Sequence, residues 1–462
     1  MGRGRPIGSK SVAKKHIQGR NPPEDWTTKI SELPQARHRL YRDEGAILPN
    51  NFGECTPYKA FRLMWTEEMD AHVIRRTNRR GTIRLDHSRL HRFLLSGLIM
   101  CVNVRKDYKL HWSPDPLFEN PVLQELISRD EFRSALRHSH PKPQRLAHLA
   151  NLNFKRHWNP FSHVSVDECL VCFKGRYKHR VHIRGKPDAT GLKIYGLADE
   201  RSYLYAFNLY KGKHQTTVDI VLSLVDQLPD FHFKVYADSW YGNDSLAFSL
   251  LQQGHYFTLA CGKNKPSCVF NDYLDVNLVH GQCRYLQWEE DATLLALSYH
   301  DRAICHFLTN QFRPGTIENL KNEKIPAPVH DYRQFMGLLD RIDRSALEAC
   351  WPHRNKRWTM AFFWYLLGLC INNAHKIFNN VNLGRISLPS FIHQLIIEWR
   401  KVLEQDGSAP RRPRHRLVPS TSKDRCNVCK HKDRGKGKTR LMCILCNVHL
   451  HPRCFDEYHK RP

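Results

Sequence analysis

Two stretches decide the fold: His163-Val164-Ser165-Val166-Asp167-Glu168-Cys169-Leu170-Val171-Cys172-Phe173 and Phe231-His232-Phe233-Lys234-Val235-Tyr236-Ala237-Asp238. Both are rich in β-branched and apolar residues and read as strands. Each places an acid where a buried strand would otherwise want an apolar side chain. Between them, 191–197 and 203–210 read as two further strands around a turn near Asp199-Glu200, and 216–228 as an amphipathic helix. A helix over 244–253 and a strand over 255–261 complete the run. The order is strand, strand, strand, helix, strand, helix, strand.

Working outward, 52–152 is mostly helical. Arg89-Leu90-His91-Arg92-Phe93-Leu94-Leu95-Ser96-Gly97-Leu98-Ile99-Met100 places apolar residues on one helical face, and Asp130 supplies a plausible N-cap for a helix over 130–137. Residues 262–328 are irregular with scattered strands, which reads as an insertion. Helices follow over 331–348, 358–373 and 388–403. A Pro/Arg/Ser-rich linker then leads to a small Cys/His module.

The chain has 462 residues and a formal charge of +27, from 72 Lys plus Arg against 45 Asp plus Glu. Such a field draws the chain to a polyanion, either nucleic acid or an anionic membrane. The charge concentrates at the ends: Arg3, Arg5, Lys10, Lys14, Lys15 and Arg20 give +6, and 15 bases against 4 acids from Arg411 onward give +11. Gly2-Arg3-Gly4-Arg5-Pro6 resembles an AT-hook, an arm whose Arg3 and Arg5 would enter an A·T minor groove; a plain basic tail or nuclear-import signal reads equally well. The N-terminus lacks an apolar signal segment, and the longest apolar run, 360–371, is too short to span a bilayer. Cysteines in an apparently unsecreted chain point to thiols and metal ligands rather than disulfides. These features place the chain in the nucleus or cytosol.

Phosphodiester cleavage by two metal ions needs hard oxygen ligands for magnesium or manganese. The element order above is that of the RNase H-like α/β nuclease fold, in which Asp167 lies in the first strand and Asp238 ends the neighbouring fourth. A third carboxylate must come from a helix packed on that sheet. Asp340 and Asp343, three residues apart, share one helical face.

Ser165-Val166-Asp167-Glu168, Phe173-Lys174-Gly175-Arg176 and Lys186-Pro187 resemble the first catalytic block of piggyBac transposases. Tyr236-Ala237-Asp238-Ser239-Trp240-Tyr241 resembles the second. Gly337 to Asp343, Arg354-Asn355-Lys356-Arg357-Trp358 and Ile371-Asn372-Asn373 resemble the third and its tail. The resemblance spans about 52–462. It implies a cut-and-paste DNA transposase with a metal triad of Asp167, Asp238 and Asp340, Asp343 beside it, a homodimer, and double-stranded DNA partners comprising terminal inverted repeats and a TTAA target. It also implies hairpin formation by the freed 3′-hydroxyl. Lys174, Arg176, Arg180, Arg184 and Lys186 form a basic cluster suited to phosphates. Arg357 belongs to the same expectation, and Trp358 is either a base-stacking residue or the core anchor of its helix.

Cys426-x2-Cys429, Cys443-x2-Cys446, His451-x2-Cys454 and His459 form a zinc pattern, since pairs two residues apart grip one ion from a single turn. Three pairs plus His459 imply a cross-braced module with two zinc ions, His431 or His449 supplying the eighth ligand. Cys169 and Cys172 are also spaced by two, but on a strand they point to opposite faces. With Cys261, Cys305 and Cys370 they read as buried or partly buried thiols.

A basic disordered region is expected over 1–51, and the resemblance implies a helical dimerisation and DNA-binding domain split over 52–160 and 350–407. The catalytic domain is split over 161–262 and 329–349 around an insertion over 263–328. A linker over 408–423 and a zinc domain over 424–462 complete it. Competing readings are a transposase-derived DNA-binding protein without cleavage, and a zinc-finger chromatin reader on an inert scaffold.

Overall fold

A computed structural model of the chain describes residues 26–30, 44–183, 189–212, 215–262, 274, 278–290, 293–318, 323–351, 356–405, 417–431, 437–443 and 446–459. The expectations for Arg3, Arg5, Arg184, Lys186 and the motif residues Arg354 and Asn355 lie outside them. The chain divides into two compact units: Met1–Gly45, Asn159–Cys169 and Ile194–Arg341 form the first, and Ala46–Trp158, Leu170–Lys193 and Ile342–Pro462 the second. The fold is mixed α/β.

A long mixed sheet organises the first unit. Its order is Trp26–Thr27, Cys283–Trp288, Leu295–His300, Ile304–Thr309, Tyr256–Cys261, Lys234–Gly242, His163–Cys172, Thr190–Asp199 and Arg180–His182, with Leu204–Leu209 also pairing Thr190–Asp199. The three consecutive central strands, from Tyr256–Cys261 to His163–Cys172, are parallel and carry Val164, Val166, Val235, Ala237, Phe257 and Leu259, all fully buried. Strands covered on both faces take this near-continuous apolar composition. Helix Thr217–Val225 begins with a capping box between Thr216 and Asp219, and Asn243 caps Asp244–Gln252.

Three expectations are corrected here. The strands within 263–328 are part of the main sheet, because Ile304–Thr309 pairs antiparallel with Tyr256–Cys261 and the next two strands follow outward. The N-terminal stretch is not structureless throughout, because Trp26–Thr27 pairs with Gln287 and Trp288 at the sheet edge. The helix over 331–348 is two helices, Ala327–Phe335 and Leu338–Glu348, interrupted at Met336-Gly337.

The second unit is built from helices and the Cys/His module. Trp358–Val381 is its central helix and is buried along most of its length. Pro57–Met64, His87–Val102 and Leu388–Gln405 complete this core, with Phe61 against Trp399 at 4.8 Å and Phe93 against Trp364 at 5.1 Å. Gly97 is required here: a Cβ on it would lie 2.3 Å from the Trp364 ring. The helix read over 130–137 is Arg129–His138, and its cap is Ser128, whose box with Glu131 is complete. Residues 417–423, expected as linker, fall within strand Leu417–Arg425. Among the described residues no helix is long and apolar enough to cross a membrane.

Candidate active site and metal centres

The acids of the first unit are brought together by strand register. His163–Cys172 and Lys234–Gly242 run parallel, with Ser165 opposite Tyr236 and Val166 opposite Ala237. One step further come Asp167 and Asp238. Side chains on a strand alternate, so Asp167 shares a face with Ser165 and Cys169, and Asp238 with Tyr236. That face is the one the 327–341 segment covers. The Ser165 hydroxyl donates to the Met336 carbonyl at 3.2 Å, Tyr236 donates to Asp331 at 2.5 Å, and the Cys169 thiol lies 4.0 Å from the Leu339 carbonyl. Leu338 and Leu339 are fully buried, and Leu339 sits where a Cβ on Gly196 would be, 2.7 Å away. Asp340, next in sequence and exposed, comes near enough to Asp167 to repel its charge.

The electrostatics agree with this placement. Burial pushes the Asp167 carboxyl up to about 8, and Glu168, Asp238 and Asp340 add repulsion in that order, against a 2.7 Å hydrogen bond from the Glu168 amide. Asp167 is 7% exposed, so its carboxyl group stands largely desolvated among neighbouring acids. Carboxyl groups gathered in this way are hard oxygen donors that could hold a divalent cation. The three carboxylates are not within 4.8 Å of one another as a single-ion cage would require.

Sequence reasoning gave several residues at this site no role of their own. Tyr241, fully buried, donates to Glu168 at 3.2 Å, and burial with the charges of Glu168, Asp167 and Asp238 raises its pKa strongly. Burial and then Asp238 and Asp167 do the same to Tyr332. The ladder between Lys234–Gly242 and Tyr256–Cys261 breaks between the pairs Ala237–Leu259 and Gly242–Cys261, so Asp238-Ser239-Trp240-Tyr241 loops out of it. The Trp240 amide donates to Asp238 Oδ1 at 3.0 Å within that loop. Gly242 closes the loop, because a Cβ there would lie 1.9 Å from the Ala260 carbonyl oxygen. Such irregularities re-aim side chains beside functional sites.

Asp343 belongs to the second unit, where it accepts the Tyr365 hydroxyl at 2.6 Å and adds to the burial that raises the Cys350 thiol to about 12. Of the basic candidates, Lys174, Arg176 and Arg180 are exposed, with Arg180 closing its own loop on the Lys174 and Gly175 carbonyls at 2.9 and 2.8 Å. Arg357 is committed elsewhere. It donates to the Leu136 and Ser139 carbonyls, both at 2.7 Å, and so caps helix Arg129–His138. Trp358 is part-buried and packs on Tyr177 at 4.4 Å.

The C-terminal donors fall into two groups, Cys426, Cys429, His451 and Cys454 in one, and Cys443, Cys446 and His459 in the other. The first pair thus joins the third, and the second joins His459, in an interleaved order. Cys429 Sγ lies 3.6 Å from His451 Nδ1 and 3.7 Å from Cys454 Sγ, while Cys443 and Cys446 lie 3.4 and 3.5 Å from His459 Nε2. His459 donates its other ring nitrogen to the Phe455 carbonyl at 2.8 Å, which turns Nε2 toward the sulfurs. His449 bonds Ser422 instead, and the His431 side chain lies outside the described residues. Of the other cysteines, Cys169, Cys261 and Cys370 are buried as expected, but Cys172 and Cys305 are exposed.

Asp70, His87 and His91 form a third close group. Asp70 there already accepts from Arg62 and Trp65 at 2.9 and 2.7 Å. Trp399 donates to His91 Nδ1 at 3.0 Å, so His91 Nε2 carries the hydrogen that faces Asp70 at 2.8 Å. That tautomer offers no lone pair to an ion, and the group is a structural polar hub.

Comparison with known proteins places this geometry in context. The family model described as Transposase IS4 matches residues 56–375. Human PiggyBac transposable element-derived protein 3 is 22% identical over 344 residues, covering 64% of this chain and 55% of its own length. The chain thus spans about half of that relative. Human PiggyBac transposable element-derived protein 2 is 21% identical over 465 aligned positions, covering 88% of this chain and 77% of its own. The fold is similar to that in a piggyBac transposase synaptic complex with hairpin DNA, with a TM-score of 0.70, 21% identity, and coverage of 90% of this chain and 100% of the other.

Proposed function

The chain belongs to the Transposase IS4 family, of piggyBac type, and from that premise we propose that it is a cut-and-paste DNA transposase acting through Asp167, Asp238 and Asp340. In this reading the sheet of the first unit is the core of an RNase H-like catalytic domain, and the three carboxylates hold two magnesium or manganese ions. Bound there, the ions would polarise the scissile phosphate and acidify the attacking water. Asp167 must release its raised proton to serve as a ligand, which ties the site's readiness to pH. Tyr241 and the Trp240 amide hold Glu168 and Asp238 in place. Asp343, tied to Tyr365, braces the helix that carries Asp340.

The reaction class follows from the same premise: cleavage at transposon ends, hairpin formation by the 3′-hydroxyl, and joining to a TTAA target. The relative solved with hairpin DNA supports that substrate form. The interleaved Cys/His groups suit two structural zinc ions in a cross-braced module. The split helical part would provide dimerisation and DNA contact, with Lys174, Arg176 and Arg180 on phosphates. The charge of +27 suits work on DNA in the nucleus.

The observation that supports the reading is the parallel register one step short of Asp167 and Asp238, together with the repulsion that Asp340 exerts on Asp167. Its test is plasmid excision with candidate transposon ends, comparing the intact chain with Asp238→Asn. Metal-dependent excision lost in the variant is expected; equal excision by both would overturn the assignment. No excision by an intact chain that still binds those ends would favour the transposase-derived binding protein, a reading in keeping with the names of the human relatives.

A further inference from the structure

Among the described residues Trp240 is the one tryptophan with a large exposed surface, at 43%, and it sits two residues from Asp238. Its ring is not loose. It stacks at 13° on Tyr195, which is 3% exposed, and meets the fully buried Tyr241 edge-on at 4.7 Å. The looped-out backbone beneath it is pinned by the bond from its own amide to Asp238 and closed at Gly242. Leaving so much indole in water costs hydrophobic free energy, and the rigid backing holds it there.

We propose that Trp240 is a stacking site for one unpaired nucleobase next to the phosphate that the acids engage. The inference deepens the transposase reading and rests on it. A nucleobase is the ligand the surroundings select. The carboxylates two residues away would hold cations, and so a phosphodiester, while the flat apolar ring alongside suits the base attached to it. Paired bases keep their faces covered, so the site favours a strand opened at its end over intact duplex. Stacking there fixes the scissile phosphate relative to Asp238, which makes Trp240 a positioning residue.

The test uses the full-length chain with calcium in place of magnesium and two fluorescein-labelled probes, a single-stranded dT12 and a blunt duplex of equal length. Trp240→Ala should weaken dT12 binding on the order of ten-fold, leave duplex affinity unchanged, and be largely rescued by Trp240→Phe. A 2-aminopurine placed in the strand should be quenched by the intact chain and recover with Trp240→Ala. Equal dT12 affinity for intact and Ala variants, or equal losses on both probes, would overturn the proposal. If Trp240→Ala lowers the melting temperature, 2-aminopurine with the intact chain decides alone, and absence of quenching rejects the site. None of these readouts needs cleavage, so a failed excision assay leaves this result independent.

Discussion

Asp167 and Asp238 stand side by side on parallel neighbouring strands, one step past the Val166–Ala237 pair, and burial, with repulsion from Glu168, Asp238 and Asp340, raises the Asp167 pKa to about 8. Because this acid's folded pKa lies above its unfolded value near 4, the folded state holds the extra proton between the two. Stability without metal should therefore fall as pH rises from about 4 to about 8. Melting scans should show that fall, a magnesium-induced stabilisation larger at pH 8 than at pH 5, and a flatter profile in Asp167→Asn. An Asn variant with the parent's slope would contradict the linkage.

The loop that presents Asp238 depends on a residue without a side chain. Gly242→Ala places a methyl 1.9 Å from the Ala260 carbonyl oxygen, which is backbone and cannot rotate aside. A loss of about 1–3 kcal/mol is expected in urea unfolding, together with loss of metal-stimulated melting. Parent-like stability would show that the strand can be displaced at no cost.

Arg357 separates a structural role from a DNA contact. Its two 2.7 Å bonds cap helix Arg129–His138. Arg357→Ala should cost ~2 kcal/mol of stability, since bonds from a charged donor to part-buried carbonyls are among the stronger ones. If instead it leaves melting unchanged and lowers DNA affinity with a shallower salt slope, the residue is a phosphate contact.

The Cys/His module should stand or fall with its metal, because so small a unit has little core. Elemental analysis of the purified chain should find about two zinc ions. Cys429→Ser should release one of them and expose 424–462 to limited proteolysis. Retention of all the zinc in that variant would show that the grouping of Cys426, Cys429, His451 and Cys454 is wrong.

Much of the site was legible because its signals are local. Asp167 and Asp238 stand out as single acids in apolar strands, and the Cys pairs declare themselves by spacing. What was not legible depends on partners distant in the chain. Nothing local to Tyr241 or Tyr332 gives either a role at the acids until the fold brings them against Asp167 and Asp238. Arg357 reads as one more base in a basic run until helix Arg129–His138 ends beside it. The pairing of Ile304–Thr309 with Tyr256–Cys261 has no local signature, so the sequence reading of 263–328 as an insertion with scattered strands gave those strands no place in the sheet.

By itself, then, the amino-acid order determined the alternation of strands and helices, the acids they carry and the metal-ligand spacings, since each is a property of a few neighbouring residues. Only the tertiary structure decided which strands are adjacent, that the Asp238 loop leaves its ladder, and that Trp240 rather than Trp358 presents an exposed ring. Those outcomes are set by register and burial between segments far apart in sequence, and no local pattern encodes them.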